Sequence, residues 1–206
     1  MDIKTLSPPL NEPLLLAEVR EHLRIEHDGE DGALAALIPA ARDMVERRTG
    51  LILTDRSLVI TLNGWSPRSS PARASYRLSG RGPVIGDVRL PVRPVSAVSR
   101  LLVTDRAGVD RTIGPDRYRL TPGLSPVLSP IGAGLPRPGV RRGGIRLTVT
   151  AGFGADWNAV PALIRQALLM VLARLYSARG DGDPCGDPIR ESGAAALLAP
   201  FERRTL

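Results

Sequence analysis

Apolar residues recur at helical spacing along the first fifty positions. Leu16, Val19 and Leu23 form one stripe behind Asn11 and Pro13, with His22 and Arg24 among the polar positions, and this predicts a first helix. Asp28-Gly29-Glu30-Asp31 interrupts the pattern. Leu34, Leu37, Ile38, Ala41 and Val45 then resume it, with Arg42, Glu46 and Arg47 outside and Gly50 as the stop. Pro39 lies inside that second stripe, where it removes a hydrogen bond and crowds the preceding turn at a cost of about 3 kcal/mol. Because the stripe keeps its phase on both sides, a kinked single helix is expected.

From residue 55 the pattern changes to short β-branched runs divided by proline and glycine. Ser57–Leu62, Ala74–Leu78, Val84–Leu90, Val95–Thr104, Val109–Ile113, Tyr118–Leu120 and Ile145–Thr150 are the strand candidates. In the last of these Arg146, Thr148 and Thr150 alternate with Ile145, Leu147 and Val149, as in a half-buried strand. Asp105–Gly108 has the residues of a hairpin turn. Together these runs predict a small antiparallel sheet or sandwich.

The helical period returns after Pro161. Ala162–Tyr176 is apolar nearly all round, broken only by Arg165, Gln166 and Arg174, so a bundle or neighbouring copies must cover most of it. Gly180–Pro188 reads as a loop, and Ile189–Leu198 as a short helix terminated by Pro200. The expectation is an α+β fold. Residues 1–54 and 155–206 form a helical bundle, and residues 55–154 are a small antiparallel β domain inserted into it.

Composition narrows the function. At 206 residues the chain can bury a core without disulfides, and the lone Cys185 excludes a framework of them and fits a reducing compartment. Aromatic residues are 3%, too few for a base-stacking surface. Met1–Leu16 has no basic stretch followed by a long apolar one, so no signal peptide is expected. Ala167–Ala173, the longest apolar run, falls far short of the roughly 18 residues a membrane span needs. A soluble intracellular protein with no membrane partner follows.

Little in the chain looks catalytic. His22 and His27 stand five apart with no third ligand, and read as solvated surface histidines. Cys185 has an acidic setting that disfavours its thiolate. Asp181, Asp183 and Asp187 lack the order of a calcium loop. Gly143, Gly144, Gly152 and Gly154 match no phosphate-binding motif, and no Gly-x-Ser-x-Gly elbow occurs. Neither an enzyme, a cofactor nor a metal is expected.

Charge is the remaining signal. The net charge is +7, and Lys4 is the single lysine, so arginine carries nearly all of it. A GC-rich genome would produce that bias without any function, yet a basic protein also meets polyanions favourably. Arg137, Arg141 and Arg142 form the one dense basic loop. Two readings stay open for it: a sequence-independent phosphate contact, or a flexible solvated loop.

Three segments taken in order resemble a known family. They are Leu16-Ala17-Glu18-Val19-Arg20-Glu21-His22-Leu23-Arg24-Ile25, then Leu37-Ile38-Pro39-Ala40-Ala41-Arg42-Asp43-Met44-Val45-Glu46-Arg47-Arg48-Thr49-Gly50, and then Thr150-Ala151-Gly152-Phe153-Gly154 followed by Val160-Pro161-Ala162-Leu163-Ile164-Arg165-Gln166-Ala167. Leu90–Val98 and Ala196–Phe201 add to the match. The set resembles the head–tail connector (adaptor) proteins of long-tailed phages and prophages, and is similar to the adaptor of gene transfer agents. Pro39 departs from the plain helix former expected there, and 156–159 and 180–188 match no pattern of the family.

The resemblance implies a structural role. Such adaptors form a ring, usually twelvefold, beneath the portal of a filled capsid. The ring extends the channel for double-stranded DNA and receives the stopper or tail. It also implies a particle neck as the location, with assembly in the bacterial cytoplasm. C-terminal segments of such adaptors reach into the portal, which makes Ala199, Pro200, Phe201, Glu202, Arg203, Arg204, Thr205 and Leu206 the candidate anchor. Phe201 would fill a pocket, and Arg203 and Arg204 would meet acids on the portal. Arg137, Arg141 and Arg142 would face the DNA channel or a neighbouring copy. The alternative from another class is a small basic DNA-binding accessory protein that uses the arginine loop.

Overall fold

The computed structural model describes residues 1–65, 86–132, 134–179 and 186–202. The strand candidate Ala74–Leu78, the start of Val84–Leu90, Asp181, Asp183, Cys185 and Arg203–Leu206 lie outside the described residues. The chain divides into two compact units, one of Met1–Pro8 with Arg56–Ala151, the other of Pro9–Asp55 with Gly152–Leu206. The fold is α+β, as the sequence pattern implies.

The first unit holds two antiparallel sheets. Strands β1 (Asp2–Thr5), β2 (Arg56–Leu62), β8 (Ile145–Ala151), β4 (Val95–Thr104) and β5 (Asp110–Thr112) lie side by side in that order. Strands β3 (Val88–Arg89), β7 (Val127–Pro130) and β6 (Tyr118–Thr121) make the second sheet. Alternation decides the faces. Leu58 and Ile60 of β2 and Ile145 and Leu147 of β8 are fully buried, while Thr61, Arg146, Thr148 and Thr150 stay half-buried on the other side. In β4 the period of two slips twice, between Val95 and Ala97 and between Val98 and Arg100, so the strand carries two bulges. Ser96 and Ser99 sit at those slips, and their hydroxyls donate to the Thr150 and Thr148 carbonyls at 3.2 and 3.1 Å.

The second unit is a helical bundle built around α3 (Ala162–Ser177). Ile164, Ala167, Leu168, Val171 and Leu172 line its fully buried face, against which α1 (Leu16–Leu23), α2 (Asp31–Thr49), α4 (Pro188–Glu191) and α5 (Ala194–Leu198) pack. Burying each of the larger of these side chains stabilises by about 1.5–3 kcal/mol relative to exposure. Polar ties fix the entry to the bundle. The Glu18 carboxylate accepts the Leu15 backbone N–H at 3.1 Å and also pairs with Arg165, whose guanidinium lies 4.2 Å over the Trp157 ring. The Asn11 side chain donates to the Ala155 carbonyl at 3.0 Å. No helix among the described residues is long and apolar enough to cross a membrane.

Several elements differ from the sequence expectation. Residues 2–5, grouped by pattern with the helices, form β1, because pairing with β2 decides their conformation. Strand β7 lacks a readable pattern, lying between Pro126 and Pro130, and is held by β3 and β6. Ile189–Leu198 is not one helix: it breaks into α4 and α5 at Ser192-Gly193, where Gly193 takes φ +76°. The α-helix stops at Leu198, just before Pro200 as expected, and Pro200 itself sits in a short 3-10 turn, Ala199–Phe201. Helix α2, as expected, runs as a single helix through Pro39. The carbonyl that Pro39 leaves unbonded belongs to Ala35, which is exposed and open to water.

Truncating the buried face of α3 should therefore dominate any stability scan of the bundle. Leu168→Ala should cost about 2–5 kcal/mol in urea denaturation followed by helical circular dichroism. Leu163→Ala, on a residue 49% exposed, should stay within about 0.5 kcal/mol of wild type.

Candidate functional site

Two surfaces carry the sequence-derived site residues, one in each unit. In the bundle, α2 delivers Arg47 and Arg48 to its last turn, where cations favour the helix dipole. The Thr49 hydroxyl donates to the Val45 carbonyl at 2.7 Å, and the Glu46 carboxylate accepts the Leu53 N–H at 2.8 Å, which fixes the chain as it leaves the helix. The C-terminal segment meets this helix end. Phe201 packs half-buried against the apolar core of the bundle, and Arg48 Nε donates to the Glu202 carboxylate at 2.7 Å. Arg47, Arg48, Thr49, Gly50 and Glu202 line one shallow cleft.

These contacts divide the candidate anchor. Ala199, Pro200, Phe201 and Glu202 belong to the bundle itself, and Arg203, Arg204, Thr205 and Leu206 lie outside the described residues. The Arg48–Glu202 tie, across 154 positions of sequence, has no signal in the linear pattern.

In the β unit, Arg137, Arg141 and Arg142 are brought together on the segment between β7 and β8, all exposed. None has an ion-pair or hydrogen-bond partner among the described residues. The segment itself is held at several backbone points. The Trp65 indole N–H donates to the Pro136 carbonyl at 2.7 Å, the Gly139 N–H to the Thr104 carbonyl at 2.8 Å, and the Gly143 N–H to Asn63 Oδ1 at 2.8 Å. The Thr104 N–H donates in turn to the Gly144 carbonyl at 2.9 Å. A Cβ on Gly139 would stand 2.1 Å from the Arg106 backbone nitrogen, so only glycine permits this approach to the β4–β5 hairpin. Arg106, exposed at the hairpin tip, thereby joins the three loop arginines. Sequence spacing hides it, because thirty-one positions separate it from the nearest of them.

The hairpin is the turn foreseen at Asp105–Gly108, with the Gly108 N–H donating to the Asp105 carbonyl at 3.1 Å. The Asp105 carboxylate accepts the Ala107 and Val109 N–H groups at 2.9 and 3.0 Å and pairs with Arg111 at 3.0 Å. The Val109 N–H, foremost, and then Arg111 hold this carboxyl below its ordinary range. Asp110 accepts the Thr104 hydroxyl at 2.7 Å and pairs with Arg146, and these two contacts, the hydroxyl first, lower it likewise. His22 and His27 are exposed, and the described residues bring together no metal-binding group of three or more histidine, cysteine or acidic side chains.

Two measurements check this geometry. Gly139→Ala should raise the amide-exchange rates of residue 139 and Thr104 by about tenfold or more, with the amides of the β2–β8 pair unchanged. Because the Asp105 and Asp110 carboxyls are depressed, their contribution is complete above the unfolded value of about 3.9 and is lost as pH falls through the lower folded values. Amide protection at Ala107 and Val109 should thus be flat from pH 7 to about 4 and fall below it.

Against known proteins, residues 14–79 match the model of the phage gp6-like head–tail connector protein family. No curated protein matches the chain. Among solved structures, the chain is 29% identical to a protein in the neck of an empty gene transfer agent particle computed with C6 symmetry, with a TM-score of 0.76 over 100% of this chain and 98% of that one. A chain of the native gene transfer agent virion matches at the same identity and coverage, with a TM-score of 0.76. In the native neck computed with C12 symmetry the TM-score is 0.73, again at 29% identity. The chain is thus similar to the head–tail connector family, by sequence over residues 14–79 and by fold over its whole length to the neck protein of a gene transfer agent.

Proposed function

We propose that the protein is a structural head–tail adaptor. Copies of it form a ring in the neck of a phage-like particle, beneath the portal, and join the head to the stopper or tail. The observation that carries this reading is the whole-length similarity to a neck protein, at 29% identity and with 98% of that chain covered. A ring of twelve copies is supported by the C12 symmetry of the similar native neck. The ring extends the channel through which double-stranded DNA passes, and a basic protein suits that passage. The role needs no catalysis. Assembly takes place in the bacterial cytoplasm.

The anchor to the portal is the C-terminal segment 199–206. Phe201 and the Arg48–Glu202 pair hold the root of this segment on the bundle, leaving Arg203, Arg204, Thr205 and Leu206 as the part that reaches the portal. In this division Phe201 serves the bundle, and the two terminal arginines meet acidic portal residues.

Mass spectrometry of purified particles tests the reading. The chain should be present at a ring-like ratio to the portal, and deletion of 203–206 should remove it from particles while the truncated chain keeps its folded melting profile. If the chain is absent from particles and abundant in the soluble fraction of the same cells, the adaptor reading fails.

A further inference from the structure

The held arginine cluster has a chemistry of its own. Arg106 at the hairpin tip and Arg137, Arg141 and Arg142 on the β7–β8 segment surround one backbone contact, the approach of Gly139 to Arg106. Arg137 and Arg141 lie two residues to either side of Gly139, which is at most about 7 Å of extended chain. No acid among the described residues makes an ion pair with any of the four, and the two acids of the hairpin are engaged elsewhere. Asp105 is occupied by Arg111 and two backbone N–H groups, and Asp110 by Arg146 and the Thr104 hydroxyl.

We infer that Arg106, Arg137, Arg141 and Arg142 form a sequence-independent contact surface for the phosphate backbone of double-stranded DNA. Guanidinium groups present forked donors to phosphate oxygens, and a duplex carries about one negative charge per 1.7 Å of its axis. A duplex therefore offers an array dense enough to engage four cations at once. The surroundings favour a nucleic acid over an acidic protein. Pro136, Gly139 and Gly143 flank the arginines, Trp65 is turned inward with its N–H on Pro136, and among the described residues no exposed aromatic ring stands beside them to anchor a protein interface. Nor do the described residues of this unit include a base-reading element such as an exposed helix, so the contact is blind to sequence. The four backbone ties limit the conformational freedom the segment would lose on binding. This inference does not depend on the adaptor reading.

Full-length protein and a 20-base-pair duplex, titrated between 50 and 200 mM salt, provide the test. The variant Arg106→Gln/Arg137→Gln/Arg141→Gln/Arg142→Gln is compared with Arg24→Gln/Arg47→Gln/Arg119→Gln/Arg190→Gln. The comparison set removes the same charge from exposed positions elsewhere, and both variants are checked by thermal melting. The wild type should bind two unrelated duplexes equally. The slope of log affinity against log salt should shallow by about 3 to 4 in the first variant, at roughly 0.9 per phosphate contact, and hardly change in the second. Equal weakening by both variants would reduce the effect to net charge and overturn the inference. Absence of duplex binding by the wild type at 50 mM salt would also overturn it, and would assign the cluster to an acidic protein surface.

Discussion

The topology depends on two stretches of chain that run side by side, 53–56 and 151–154. Phe153 donates its N–H to the Leu53 carbonyl at 3.1 Å, Asp55 donates to the Gly154 carbonyl at 2.9 Å, and Arg56 and Ala151 are register partners at the first step of the β2–β8 ladder. A 96-residue insertion can interrupt a helical bundle only if it leaves and returns at one place. Neighbouring antiparallel strands as its first and last long elements meet that condition. Gly152 is the tightest point of the passage: it has φ +143°, and a Cβ there would stand 2.4 Å from the Asp55 backbone nitrogen. A side chain at 152 would press the two stretches apart where the chain crosses from one unit to the other.

The two units use arginine differently. In the bundle it is mostly matched: Arg20 with Asp31, Arg42 with Glu12, Arg165 with Glu18, Arg174 with Glu191, and Arg179 with Glu30. Arg179 also lies 3.8 Å over the Tyr176 ring, and with Tyr176 it holds the Glu30 carboxyl below its ordinary range. Apart from Arg42, which is buried, these are surface pairs that stabilise by about 0–1 kcal/mol each, so the apolar face of α3 carries the bundle. In the β unit, Arg111 and Arg146 occupy the hairpin acids, while the arginines of the hairpin tip and the β7–β8 segment are left over.

What the sequence made legible follows from how local the determinants are. Helices α1, α2 and α3 and strands β2, β4 and β8 each announce themselves within about ten residues, through a stripe or an alternation that their own burial requires. Strand β1 does not, because Asp-Ile-Lys-Thr has no period, and its conformation comes from pairing with residues 58–61. The bulges at Ser96 and Ser99 were invisible for a similar reason, since only the register of β8 against β4 reveals the two extra residues. For the site, the three loop arginines were legible as a sequence cluster. Arg106 was not, and neither was the pairing of Glu202 with Arg48, because their neighbours come from other parts of the chain.

Those hidden members change the physical character of both surfaces. An arginine loop free to move would lose conformational entropy on every contact, and its charges could swing toward any nearby carboxylate. Four backbone ties to the sheet and hairpin prevent both, so the guanidinium groups share one local framework and differ mainly in side-chain rotamer. The C-terminal segment shows the same division on a smaller scale. Phe201 and Glu202 are bound to the bundle, which fixes the segment as far as residue 202. In the β unit a held backbone thus carries a short run of charged side chains at the surface. That economy suits a protein proposed to act through repeated contacts in an assembly, where each copy contributes a modest interaction and the symmetry of the ring multiplies it.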